Sequence, residues 1–277
     1  MMRISSRLIR SLGASGTAAL MLGVLPAAAT PAAAPPAAKV AAWSTLPDWS
    51  GVWQMVGGTV FDRSTVNDVP GGAGTSGVRE RPPYNDAWEE RYRKNIQGVT
   101  DGTFPDPLTY CGIPAGMPRM INQPDAYDWI VTPGQVWQTT ENAGGVRRIF
   151  TDGRKHPANM IHTFNGHSIG HWEGDTLVVD TVGMLEDTII DRTGIQLSDQ
   201  RHVVERIRRI DADTLEDRMT IEDPVALTRP WQIVKTFRKQ PAGTYIFDYA
   251  CAENNRNPVD EFGRTITTDG QGTPLHD

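Results

Sequence analysis

Cysteine is nearly missing from this chain, with two, Cys111 and Cys251, in 277 residues. Two cysteines so far apart give no zinc-ribbon or redox-pair signature. In an oxidising compartment they are a candidate disulfide, with two separate buried thiols as the alternative. Long apolar runs are missing too. The best one, residues 11–24, is too short and too rich in Gly, Ser and Ala for a membrane span. Positive charge is in deficit, with 27 Lys and Arg against 33 Asp and Glu and a formal net charge of -6. Phosphate neutralisation needs basic surface, so no nucleic-acid partner is expected. The group Arg206, Arg208 and Arg209 is too small to reverse that. No His-Glu-x-x-His motif is present, no Gly-rich phosphate cradle sits in a βαβ unit, and the segment Gly166-His167-Ser168-Ile169-Gly170 is not Gly-x-Ser-x-Gly. No cofactor and no metal are implied.

What is present begins with an export signal. Arg3, Arg7 and Arg10 form a basic region ahead of the apolar stretch, and Ala27-Ala28-Ala29 and Ala32-Ala33-Ala34 are both cleavage candidates. Their removal, with Lys39, would make the mature chain more acidic by four charges. The reading is a periplasmic or secreted protein with residues 1–42 as signal and Pro/Ala linker. Residues 43–266 form one domain with a loop and helix insertion at 62–124, and residues 267–277 are a polar tail.

Short strands dominate the domain. Asp48-Trp49-Ser50-Gly51-Val52-Trp53 reads as a turn feeding a first strand, and its Gly-x-Trp resembles the opening of lipocalin-like barrels. Residues 82–96 read as a helix, with Trp88, Tyr92 and Ile96 at spacing four on one packed face. Residues 98–124 read as an irregular wall around Cys111. From residue 127 onward, strands are predicted at 127–132, 135–140, 146–151, 167–173, 176–181, 202–210, 214–221, 231–238 and 244–249. Pro133-Gly134, Gly174-Asp175 and Asp211-Ala212-Asp213 mark hairpin turns. So long an antiparallel array curls and closes. The fold class expected is mainly β, an up-and-down lipocalin-like barrel of about 8–10 strands with one helix on the N-terminal side. A two-sheet sandwich is the rival.

The densest chemistry lies at residues 165–181. Strand alternation puts His167, Ile169, His171 and Glu173 on one face, expected to look into the barrel beside a polar pocket. His167 and His171 would lie ~13 Å apart on an ideal strand, too far to share a metal unless a bulge at Gly170 bends it. A three-histidine site would need His162, one of these two, and His202 together. Asp191, in Asp191-Arg192-Thr193-Gly194, reads either as an Asx turn or as a base or imidazole orienter at the barrel mouth. His202 opens a strand near Glu205. Asp180, between Val179 and Thr181, reads as a buried carboxylate needing a partner such as Arg147, Arg148 or Arg208. Arg154 and Arg208 are candidate anchors for an anionic group. Trp129 and Trp172 are candidate ring surfaces for an apolar ligand, with core packing as the default.

These segments together resemble a large, mostly uncharacterised family of exported bacterial proteins. The pieces carrying the resemblance are Arg148-Ile149-Phe150-Thr151-Asp152-Gly153-Arg154, the run from Gly166-His167-Ser168 to Val179-Asp180-Thr181, Thr220-Ile221-Glu222-Asp223-Pro224, Thr228-Arg229-Pro230-Trp231 and Cys251-Ala252-Glu253-Asn254-Asn255. The resemblance implies a lipocalin-like fold. The chain departs from the pattern at His171, where relatives often carry Arg, and at Leu197-Ser198-Asp199, where they carry His-Ser-Glu. The function expected is an exported barrel enzyme using histidine and carboxylate groups for proton transfer on a small, partly aromatic molecule, as a lyase, isomerase or hydrolase. The alternatives are a periplasmic binder of a small hydrophobic ligand, with its histidines turned outward, and a structural envelope module.

Overall fold

The structure is a computed structural model that describes residues 40–59, 61, 81–101, 103, 116–141, 145–186, 188–191 and 193–247. The expected export signal, the expected loop after residue 61, both cysteines with their candidate bridge, and the 267–277 tail lie outside the described residues. Among the described residues nine strands form a closed barrel: β1 (Val52–Met55), β2 (Ala126–Thr132), β3 (Gln135–Thr140), β4 (Val146–Phe150), β5 (His167–Glu173), β6 (Thr176–Val182), β7 (His202–Asp211), β8 (Thr214–Glu222) and β9 (Trp231–Lys239). Every neighbouring pair is antiparallel except β4 and β5, which run parallel and share only Ile149↔Ser168 and Phe150↔Ile169. That seam departs from a strict up-and-down barrel.

The strand predicted at 244–249 is not seen over residues 244–247, which are unpaired coil. The seat beside β9 is already taken by β1, through Trp53↔Lys239, Gln54↔Arg238 and Met55↔Phe237. Closure by β1 satisfies that edge, so residues 244–247 have no place beside β9.

The turns and the long connections segregate to opposite ends. The two-residue turns Pro133-Gly134, Gly174-Asp175 and Ala212-Asp213 sit together at one end, each between the last paired residues of a hairpin. Gly134 and Gly174 supply the positive φ such turns need, at +81° and +64°. The registers place the connections β1–β2, β6–β7 and β8–β9 at the other end. There, α1 (Asp86–Asp101) is started by Asn85, whose Oδ1 accepts from Trp88 N at 3.1 Å. The helix is shifted from the expected 82–96, and its buried face carries Trp88 and Tyr92, with Ile96 partly buried against the core. Asn95 and Arg91 bond to Gly194 O and Gln196 Oε1, which ties the helix to the β6–β7 connection. Arg119, Met120, Ile121, Asn122 and Gln123 are buried. They seat part of the predicted irregular wall against the core.

Inside the barrel, alternation buries Trp53, Tyr127, Trp129, Val136, Ile149, Leu177, Val179, Ile207 and Phe237. Trp129 packs edge-on against Phe237 with ring centroids 4.8 Å apart. Each large apolar side chain here contributes about 1.5–3 kcal/mol by leaving water. A polar centre interrupts this core. Arg147 donates to Glu205 through both terminal nitrogens, to Thr181 Oγ1 at 2.8 Å, and through Nε to Ser168 Oγ at 3.1 Å. Arg147 and Glu205 are almost completely buried. Asp217 also points inward from β8, and burial and the Glu205 charge push its carboxyl well above the usual carboxylate range.

Candidate functional site

The inward positions of β5 are Ser168, Gly170 and Trp172. His167, Ile169, His171 and Glu173 therefore lie on the outer wall, which corrects the expectation that these imidazoles reach into the barrel. The ladder β5–β6 is regular from His167↔Val182 to Glu173↔Thr176, so no bulge at Gly170 draws His167 and His171 together. Asp180 shares the outer face and is 43% exposed in its side chain, not buried as its apolar neighbours suggest. Arg147 goes instead to Glu205, the buried carboxylate of the interior.

The outer wall nonetheless assembles a cluster. Because β4 and β5 run parallel, residues 151–166 must return from the short-turn end to the start of β5. That crossover lays His156 on the wall. His156 Nε2 lies 3.2 Å from Asp180 Oδ1, and His156 Nδ1 lies 2.8 Å from His167 Nδ1. His202 Nε2 meets the same Asp180 oxygen at 2.9 Å, and its Nδ1 is 3.6 Å from Glu222 Oε2. Register explains the company: His202 pairs with Glu222, and Val203 with Thr181, so Asp180, His202 and Glu222 share one face.

Gly166 fixes where His167 stands. Its φ is +66°, and a Cβ there would sit 2.5 Å from Val182 O and 2.7 Å from Met184 Cγ. Only glycine lets the chain enter β5 this close to β6.

The bonds define the tautomers when the rings are neutral. His156 donates Nε2–H to Asp180, so its Nδ1 lone pair accepts Nδ1–H from His167. His167 Nε2 is then an unprotonated base. Partial burial, the neighbouring His156 and the charge of Arg154 push the His167 pKa below 6.5. The ring stacks on Phe150 with centroids 5.5 Å apart and 27° between planes. Beside it, at the β4–β5 seam, lies a pocket of about 260 Å³ lined by Val146, Arg148, Phe150, Asn165, Gly166 and His167, with Arg147 and Ser168 beneath.

The remaining sequence candidates go elsewhere. His171 is exposed, 3.2 Å from Glu173 Oε1, and Glu173 is itself held by Arg206 at 2.7 Å. His162 faces Asp199 at 3.6 Å, apart from His167 and His202. Among the described residues no group of three His, Cys, Asp or Glu side chains is arranged to hold a metal ion. Asp191 is fully buried and accepts from Thr193 N and Phe61 N, each at 2.9 Å. It is the Asx-turn reading that describes it, and burial raises its carboxyl pKa in spite of those bonds. Glu205 points inward and cannot assist His202. Trp129 belongs to the core. Trp172 is half-buried, edge-on to Trp49 at 5.3 Å. Arg208 is committed to Glu216 at 3.2 Å. Arg154 closes on Asp152 with Nε 2.9 Å from Oδ1, and its guanidinium lies 3.8 Å over the Phe150 ring.

His156 was missed by sequence reasoning, and Asp180 was given the wrong face. The local signal for His156 was its place after the Asp152-Gly153 turn, but only the parallel crossover brings it to Asp180. Comparison of the chain with protein-family models gives no match, and comparison with curated proteins gives none.

Proposed function

We propose that this barrel protein is an exported, cofactor-independent enzyme that performs general acid–base chemistry on a small, partly aromatic molecule in the pocket beside His167. The carrying observation is the ordered contact from Asp180 through His156 to His167, which ends at a neutral imidazole on the pocket wall. His167 Nε2 takes a proton from the substrate, and the Nδ1 proton of His167 passes to His156 Nδ1. The imidazolium formed at His156 is stabilised by Asp180, while His202 holds the same carboxylate oxygen. The same path run backward returns the proton to product or leaving group, which suits a lyase, isomerase or hydrolase.

The test is turnover by the purified mature protein across a panel of small aromatic esters, lactones and enolisable ketones. His167→Gln is expected to lower kcat about 10²-fold or more, the range general-base loss produces. Unchanged turnover in that variant removes His167 from the mechanism.

One observation favours a second reading, a periplasmic binder without turnover. The histidines stand outside, and the interior is aromatic around Trp53, Tyr127, Trp129 and Phe237. That protein would bind apolar fragments with no effect of His167→Gln on anything but local titration.

A further inference from the structure

Arg148 is the odd arginine of the wall. Arg147, Arg206, Arg208 and Arg218 each meet a carboxylate, on Glu205, Glu173, Glu216 and Glu216. Arg154, the anchor expected from sequence, is neutralised by Asp152. Arg148 has no carboxylate within ion-pair distance among the described residues, and its guanidinium lies 5.1 Å from the centre of the Trp137 ring. The ring is itself fixed, donating Nε1–H to Gln135 Oε1 at 2.7 Å. A guanidinium held over a fixed indole by cation–π attraction keeps its donor fork presented and loses little freedom when it binds.

The place of that fork matters. Arg148 directly precedes Ile149, and His167 directly precedes Ser168, the residue that Ile149 pairs with across the parallel seam. Arg148 and His167 thus stand level on the outer face, and both line the same pocket. Val146 and Phe150 add an apolar wall, and Asn165 and Gly166 complete the rim. The chain is acidic overall at -6, so an anion is repelled at long range and gains only where an uncommitted cation waits.

We propose that this pocket selects small aromatic carboxylates, with Arg148 gripping the carboxylate through its fork while Val146 and Phe150 hold the ring beside His167. The proposal rests on the reading of this pocket as the substrate site and adds its substrate class. The carboxylate stays ionised and spectator to the chemistry, so Arg148 is a binding and specificity residue.

The experiment titrates the full chain with sodium benzoate, benzamide and sodium acetate and follows the His167 ring signals by NMR. Benzoate is expected to bind saturably, at least tenfold more tightly than benzamide or acetate. Arg148→Gln should weaken benzoate at least tenfold and leave benzamide unchanged, and Arg148→Lys should fall between. Both substitutions are at an exposed side chain, so the fold is expected to stay intact. Equal affinity for benzoate and benzamide, no effect of Arg148→Gln, or no benzoate binding up to on the order of 50 mM overturns the proposal. The two readings separate through His167→Gln. If that variant binds benzoate normally and turnover is also unaffected, the acid–base reading fails and the carboxylate site stands. If turnover is lost while benzoate never binds, the reverse holds.

Discussion

Two clusters of ionisable side chains lie on opposite faces of the same barrel wall, and they behave as opposites. Inside, Arg147, Glu205 and Asp217 are sealed from water, and Arg147 is bound by Glu205, Thr181, Ser168 and, at 3.5 Å, Gln138. Outside, His156, Asp180 and His202 are partly exposed, and with His167 they share single oxygen and nitrogen contacts. A buried ion pair tolerates no lost partner, because each charge left alone keeps its desolvation cost. A half-exposed chain of imidazoles can lose or gain a proton with water to compensate. The interior centre holds charge in place, and the exterior one is the cluster proposed to move a proton. Sheet pleating separates the two by a single residue: Ser168 touches Arg147, and His167 touches His156.

The comparison breaks first if the interior is not rigidly committed. Arg147→Met is expected to cost about 3–5 kcal/mol in urea unfolding by stranding Glu205, and the double change with Glu205→Leu should recover much of it. A cost under about 1 kcal/mol would mean that water already reaches the pair. On the outer side, His167→Gln should leave stability within about 1 kcal/mol of the parent while lowering kcat about 10²-fold, the inverse profile.

Protonation sharpens the contrast. Asp217 has its folded pKa raised above the unfolded value near 3.9, so the native state binds the extra proton between those two values. Its contribution is complete below the unfolded pKa and is lost as pH rises through the folded one. Asp217→Asn keeps a donor beside Glu205 and should raise Tm at pH 7 by about 2–4 °C, the shift that roughly 1 kcal/mol gives a domain this size. The gain should vanish toward pH 4. His167 has the opposite sign. Its pKa is lowered, so its contribution is present above 6.5 and fades as pH falls through the folded value, and its NMR midpoint should read below 6.5. The smallest effect belongs to His171→Ala, expected within about 0.5 kcal/mol and without effect on the His167 titration, because among the described residues exposed His171 meets exposed Glu173.

Much of the barrel was readable in the chain. Eight of the predicted strands from residue 127 onward stand where alternation and turn residues put them, and Trp88 and Tyr92 bury the helix face. The strand expected at 244–249 is not seen over the described residues 244–247, where nothing local reports that β1 already occupies the edge of β9. The site was half legible. His167 and His202 were found by composition and do meet through Asp180 and His156, whereas Asp191 and Trp129 were drawn into structural roles that their residue types serve equally well.

Local rules of the polypeptide settled the strand periods and the glycine turns, because each depends on contacts a few residues apart, whereas the helix expected from residue 82 starts at Asp86. Which face of each strand looks inward was left to the closed barrel. Strand β6 carries Leu177 and Val179 on one side and Val178 and Val182 on the other, so burial alone favours neither. The register with β5 and β7 chose, and with that choice sent Thr181 to Arg147 and Asp180 to the histidines. A one-residue difference in pairing exchanges the two faces of a strand, and such a difference is decided only by partners far away in the chain.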